Sequence, residues 1–252
     1  MNYYVLKIAY DGTDYCGWQV QPDCPTITNR LQDSFKDVFG HEATIVGASR
    51  TDAGVHALGQ VAVCRTPFFL EADRLRIAWN NRLPADILIR KLHQLDSSFH
   101  PQRNVRQKTY YYHFFLERPL PFVARYGWYI NARCNMEKLQ QALEVFCGTH
   151  DFRSFCTGDE CGDNTIRNID LITIEYLSRF KVYRIIVRGQ SFLRYMIRRV
   201  VGASLAVAMR SDITVSDLQE VFAAKDPEHY LLNAPAKGLL LYKISYEKES
   251  QV

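Results

Sequence analysis

Apolar and β-branched residues crowd positions 3–10 and then give way to Gly12, the pattern of a strand running into a turn. Beyond Pro25, the apolar residues Ile27, Leu31, Phe35 and Val38 recur at helical spacing, and Gly40 stands where such a helix stops. Residues 43–48 and 59–65 read as two strands joined by a loop. A helix over 71–79 and a strand over 86–95 follow. The order is β-α-β-β-α-β, the split ferredoxin-like arrangement.

The remainder repeats that order more loosely. Residues 108–116 form a strand with three consecutive tyrosines, and Met136, Leu139, Leu143 and Phe146 make a helical stripe closed by Gly148. Residues 169–176 and 181–188 pair as antiparallel strands. A long helix over 192–209, a short one over 215–224 and a strand over 239–246 complete the pattern. The fold class is therefore α+β, with two ferredoxin-like halves, 1–104 and 105–252, and mostly antiparallel sheets. The halves are expected to share a continuous sheet around a central cleft, a natural place for a ligand.

Composition narrows the setting. A chain of 252 residues buries enough surface to fold without disulfides or metal. No apolar run approaches the roughly 18 residues of a membrane span, and the first ten residues lack the basic-then-apolar form of a signal peptide. A cytoplasmic setting is expected. The seven cysteines are scattered and contain no C-x-x-C pair, so they read as separate thiols in a reducing compartment. His150, Cys156 and Cys161 come nearest to a metal site, but their spacing matches no zinc pattern.

Charge is uneven. The net charge is +4, yet residues 179–210 hold seven Arg and one Lys without an acid, so that stretch carries +8 and the rest −4. Tyr183, Phe192 and Tyr195 are interleaved with the cations, as a polyanion-binding surface requires, although a solvated basic face has the same composition. Arg103, Arg106 and Lys108 extend this candidate track.

The loop between the second and third strands carries the most chemistry. In Gly47-Ala48-Ser49-Arg50-Thr51-Asp52-Ala53-Gly54-Val55-His56-Ala57, small residues flank an aspartate and allow close approach of backbone or ligand. Arg50 is placed to steady the loop or bind phosphate. Composition alone is equally that of a plain turn.

Larger strings decide between these. Arg50-Thr51-Asp52-Ala53-Gly54-Val55-His56 resembles the signature of the TruA family of tRNA pseudouridine synthases. Tyr10-Asp11-Gly12-Thr13-Asp14-Tyr15-Cys16-Gly17-Trp18-Gln19 resembles that family's opening segment. Asn81-Arg82-Leu83-Pro84-Ala85-Asp86-Ile87, Ser98-Phe99-His100-Pro101, Phe192-Leu193-Arg194-Tyr195-Met196-Ile197-Arg198 and Ala236-Lys237-Gly238-Leu239 follow in the family's order.

The resemblance implies conversion of uridine to pseudouridine at positions 38, 39 and 40 of the tRNA anticodon stem-loop, by a homodimer. It implies that Asp52 is the catalytic aspartate and that Tyr110 packs on the target base. It also implies that Arg198, with Arg194 as second choice, is the basic partner of the aspartate. Two positions depart from the family pattern: Ser49 stands where a smaller residue is common, and Tyr111 where Arg is common. The reaction breaks the C1′–N1 bond, turns the uracil and rejoins it through C5, so no cofactor and no metal are expected. A carboxylate serves there as nucleophile or base, and in either role must be ionised. A non-catalytic RNA-binding module would keep Tyr110 and the basic stretch with no need for Asp52. A nucleoside or glycoside hydrolase would require a second carboxylate, and Asp11 and Asp14 lie in a turn.

Overall fold

The computed structural model describes residues 1–95, 99–103, 105–157, 164–228 and 232–247. Ser98 and Cys161, named above, and the boundary residue Asn104 lie outside the described residues. The chain divides into two compact units, Met1–Lys108 with Leu240–Val252, and Thr109–Leu239.

The first unit contains β1 (Asn2–Tyr10), α1 (Ile27–Phe39), β2 (Thr44–Gly47), β3 (His56–Thr66), α2 (Ala72–Asn80) and β4 (Ile87–Leu95). The strands lie side by side in the order β4-β1-β3-β2, all antiparallel, which is the ferredoxin-like order expected from the sequence. One pairing lies outside the sequence pattern: β10 (Leu239–Tyr246) runs parallel to the start of β3, with Leu240 opposite His56 and Leu241 opposite Ala57.

Helix α1 starts at Thr26, whose side chain accepts a hydrogen bond from the Asn29 N–H, and stops at Gly40 in the left-handed conformation. Its residues Ile27, Leu31 and Phe35 are buried, as are Leu75 and Trp79 of α2; the Phe35 and Trp79 rings meet edge-to-face at 4.9 Å, and the Trp79 indole N–H donates to Leu31 O and Ser34 Oγ. Alternation along β1 gives this core Tyr4, Leu6 and Ile8, each 0 % exposed. Lys7 therefore projects from the other face.

The second unit holds β5 (Val105–Phe115, shared with the end of the first), β6 (Trp128–Tyr129), α3 (Met136–Glu144), β7 (Gly148–Asp151), β8 (Ile166–Leu177), β9 (Val182–Gly189), α4 (Met196–Met209) and α5 (Val215–Ala224). Its strands run β5-β9-β8-β7, with the short β6 parallel to β5. Strands β6 and β7 are additions to the pattern read from sequence. Helix α4 is buried nearly throughout and forms the centre of this core, beside the cluster of Phe146, Phe152, Phe155 and Phe222.

Helix α4 starts at Met196, four residues later than the sequence pattern suggested. The residue before it, Tyr195, has φ 60 and ψ −3, so the helical path cannot continue back through Arg194. Phe192 and Leu193 mimic the apolar spacing of the helix, which hid the break.

Candidate active site

Asp52 occupies the loop between β2 and β3 and is partly exposed. The backbone around it is fixed from several directions. Trp18 N–H donates to Thr51 O at 3.0 Å, Gly54 N–H to Tyr15 O at 3.2 Å, and Val55 N–H closes the turn onto Asp52 O at 3.1 Å. The Tyr10 hydroxyl meets Thr51 Oγ1 at 2.8 Å.

These contacts explain why the segment from Tyr10 to Gln19 has its particular composition. A Cβ on Gly12 would fall inside the Val55 carbonyl group, and one on Gly17 would sit 3.0 Å from the Asp52 carbonyl carbon. Gly17 also has φ +94, outside the range that L side chains favour. Gly47 leaves room for the Trp18 indole. The segment is anchored in turn by Asp86: its carboxylate accepts from the Tyr15 hydroxyl at 2.8 Å and its carbonyl from Asp11 N–H at 2.9 Å. Burial, followed by this hydrogen bond, raises the Tyr15 pKa. His56, 4 % exposed, closes the loop, with Nδ1 3.0 Å from both Gly12 N and an Asp11 carboxylate oxygen.

Two side chains that the sequence reading did not assign to the loop hold its other end. Gln60, 0 % exposed, brackets Ser49: its Nε2 donates to Ser49 O at 2.6 Å and its Oε1 accepts from Ser49 N–H at 3.2 Å. A lone amide inside the apolar run of β3 was the signal for it. Lys108 donates from Nζ to Ala48 O at 3.1 Å and to Ser49 Oγ at 3.3 Å. Burial holds its ammonium down at about 8. Lys108 is therefore an internal tether, which corrects its place in a phosphate track. Arg50, next in the chain, is exposed.

In the second unit, Tyr110 lies on β5, 6 % exposed, with its ring edge-to-face with Phe192 at 5.4 Å. Tyr111 carries the Arg184 guanidinium over its ring at 4.3 Å. Tyr112 is 0 % exposed and donates to Pro235 O at 2.9 Å. The three tyrosines thus differ sharply in environment.

Arg194 and Arg198 do not share a helix face, as equal spacing suggested, because α4 begins between them. They meet at Tyr195, whose ring centroid lies 5.1 Å from one guanidinium carbon and 5.0 Å from the other. Arg198 Nε also donates to Ala234 O at 2.8 Å. A bulky residue at positive φ costs about 1–3 kcal/mol, and such strain is concentrated at functional sites.

The stretch 179–210 is not the uncompensated basic surface its composition suggested. Lys181 pairs with Glu117 at 2.9 Å, Arg184 with Glu175 at 3.6 Å and Arg210 with Asp212 at 2.6 Å. Arg199 is buried and donates to the carbonyls of Ser154, Cys156 and Pro227. Acids from outside the stretch pair with three of its cations, and carbonyls accept from a fourth. The cysteines also differ from expectation: the sulfurs of Cys16 and Cys24 meet, with Cα atoms 6.1 Å apart.

Among the described residues no helix is long and apolar enough to cross a membrane. A family model described as tRNA pseudouridine synthase matches residues 7–102 and 142–247. The chain is 36 % identical to tRNA pseudouridine synthase A of Thermodesulfovibrio yellowstonii, over 96 % of this chain and 98 % of that one. It is 34 % identical to tRNA pseudouridine synthase A 1 of Protochlamydia amoebophila, over 99 % and 98 %, and 32 % identical to the Pseudothermotoga lettingae synthase A, over 98 % and 100 %. The matched segments contain the Asp52 loop and every segment found to brace it except Lys108, and on that agreement the chain belongs to the tRNA pseudouridine synthase family.

Proposed function

We propose that this isomerase converts uridine to pseudouridine at positions 38, 39 and 40 of the tRNA anticodon stem-loop, with Asp52 as the nucleophile. The observation that carries the reading is the over-determined backbone at Asp52: the loop is gripped from Tyr15, Trp18, Gln60 and Lys108 while Asp52 itself stays partly exposed. Holding a reacting group still, with its ordering completed on folding, is how a site lowers a barrier without a cofactor.

The chemistry balances within the substrate. The C1′–N1 bond breaks, a C1′–C5 bond forms, the C5 hydrogen leaves as a proton and N1 gains one. Tyr110 offers a rigid aromatic face to the target uracil, Arg50 serves the RNA backbone, and Arg198, with Arg194 as second choice, is the basic partner that the family resemblance implies for the aspartate. A uracil in a stem must first leave its stack, at a cost of a few kcal/mol that backbone contacts offset. The enzyme acts in the cytoplasm as a homodimer, a reading supported by the family resemblance.

The test is to incubate the purified protein with an unmodified tRNA transcript, adding neither metal nor cofactor, and to map pseudouridine nucleotide by nucleotide. Product at 38–40 from wild type and none from Asp52→Asn is expected. Binding without product from wild type, across several tRNAs, would replace the enzymatic reading with that of an RNA-binding module.

A further inference from the structure

Like charges rarely face each other across a sheet, because directly opposed cations destabilise the pair. On β1 and β4 they do: Lys7 is registered opposite Lys91. The register then slips, so that Ile8 faces Ile89 and Arg90 is an extra residue on β4. This bulge gives β4 two consecutive exposed cations, Arg90 and Lys91, against one on β1. Arg90 is fixed by its guanidinium, which donates to Leu58 O of β3 at 2.7 Å.

A fourth cation arrives from the end of the chain. Gly59 of β3 permits close passage of β10, since a Cβ there would lie 3.2 Å from Lys243 Cα. Lys7 feels all three neighbours: burial first, then Arg90, Lys91 and Lys243, lower its pKa. Among the described residues no carboxylate pairs with any of the four. Three cations of 179–210 recruited acids, whereas these four did not.

We propose that Lys7, Arg90, Lys91 and Lys243 form a contact surface for the phosphodiester backbone of the RNA substrate. The sheet face away from α1 and α2 concentrates positive charge whose mutual repulsion a polyanion relieves. The patch starts close to the catalytic loop, because Leu58 lies two residues after His56. Lys7 pairs with Val61, about 17 Å along β3 from His56 at the usual strand rise. Tyr3, on the same face as Lys7 and with Arg65 5.5 Å from its ring centroid, extends the surface. The inference rests on the reading of tRNA as substrate.

The experiment measures binding of an unmodified tRNA transcript between about 50 and 200 mM salt, for wild type and for Lys7→Gln/Lys91→Gln/Lys243→Gln. Each lost phosphate contact lowers the salt slope of log Kd by about 1, so the triple variant is expected to lose about 2–3 and to bind at least about tenfold more weakly at 50 mM. Its Tm at low salt is expected to equal or exceed that of wild type, since repulsion has been removed. Lys91→Gln alone, an exposed change, is expected to lose about 1 from the slope, and tests the surface even where the triple variant folds poorly. Unchanged slope and affinity in these variants, with wild type binding tightly, would overturn the surface alone. Wild type that binds no tRNA would overturn both the surface and the substrate reading.

Discussion

Replacing Gly17 by Ala adds one carbon where the backbone of the Asp52 loop leaves no room for it. That Cβ would lie 3.0 Å from the Asp52 carbonyl carbon, 3.2 Å from Ala53 N and closer still to Thr51 O. All three are backbone atoms, so no side chain can swing aside. Restoring ordinary contact at about 3.5–4 Å requires the 51–53 backbone to retreat by roughly 1 Å. The residue must also keep φ near +94 or drag Trp18 with it, and an alanine at positive φ costs about 1–2 kcal/mol. Trp18 N–H is bound to Thr51 O, so both routes displace Asp52.

A displacement of about 1 Å at a reacting group lowers rate by around 100-fold, whereas the fold loses only a few kcal/mol. Gly17→Ala should therefore cut kcat about 100-fold and leave tRNA affinity within a few-fold of wild type. Tm should fall by several degrees without loss of the cooperative transition. Release of label from tRNA carrying tritium at uracil C5 gives kcat under saturating substrate, because that hydrogen leaves in the reaction. A variant with wild-type kcat would refute the claim that the Tyr10–Gln19 segment sets the position of the aspartate.

Lys108→Met separates stability from activity. Its ammonium is held near 8, so below pH 8 folded and unfolded chains are both charged and the folded one carries the full cost of burying that charge. Between about 8 and the ordinary lysine range the folded chain releases its proton first, and this group's contribution to stability improves. The cost below pH 8 is roughly 3 kcal/mol, less the hydrogen bonds it retains. The variant should be about 1–2 kcal/mol more stable than wild type at pH 7, an advantage that shrinks toward pH 10, yet about tenfold slower. Denaturant unfolding across pH with parallel kcat measurement checks both, and a loss of stability at pH 7 would contradict the assignment. Tyr195→Asn keeps a residue that tolerates positive φ but removes the ring between Arg194 and Arg198. It should raise KM for tRNA several-fold with little change in Tm, and unchanged steady-state kinetics would discount that platform.

What could be read from sequence was whatever repeats at short range. Ile27, Leu31 and Phe35 reported α1 because helical spacing is local, and β1 through β4 followed from alternation and turns. The start of α4 escaped because the positive φ of Tyr195 leaves no mark in an apolar, aromatic string. The basic stretch misled for a different reason. Charge counted along the chain ignores Glu117, which folding brings to Lys181, and it also ignores strand pairing, which sets Lys7 against Lys91 beside Arg90 and brings Lys243 near. Asp52 lies between these cases. Its immediate neighbours are those of any turn, and only longer strings distinguished it. The structure supplies the physical reason those strings are long. A loop of small residues cannot hold itself rigid, so its backbone is held by Tyr15 and Trp18 on one side and by Gln60 and Lys108 on the other. Gly12 and Gly17 then follow from the closeness of that grip, and Asp86 from the need to anchor Tyr15. Each substitution at those positions should therefore act on the rate through Asp52 before it acts on the fold.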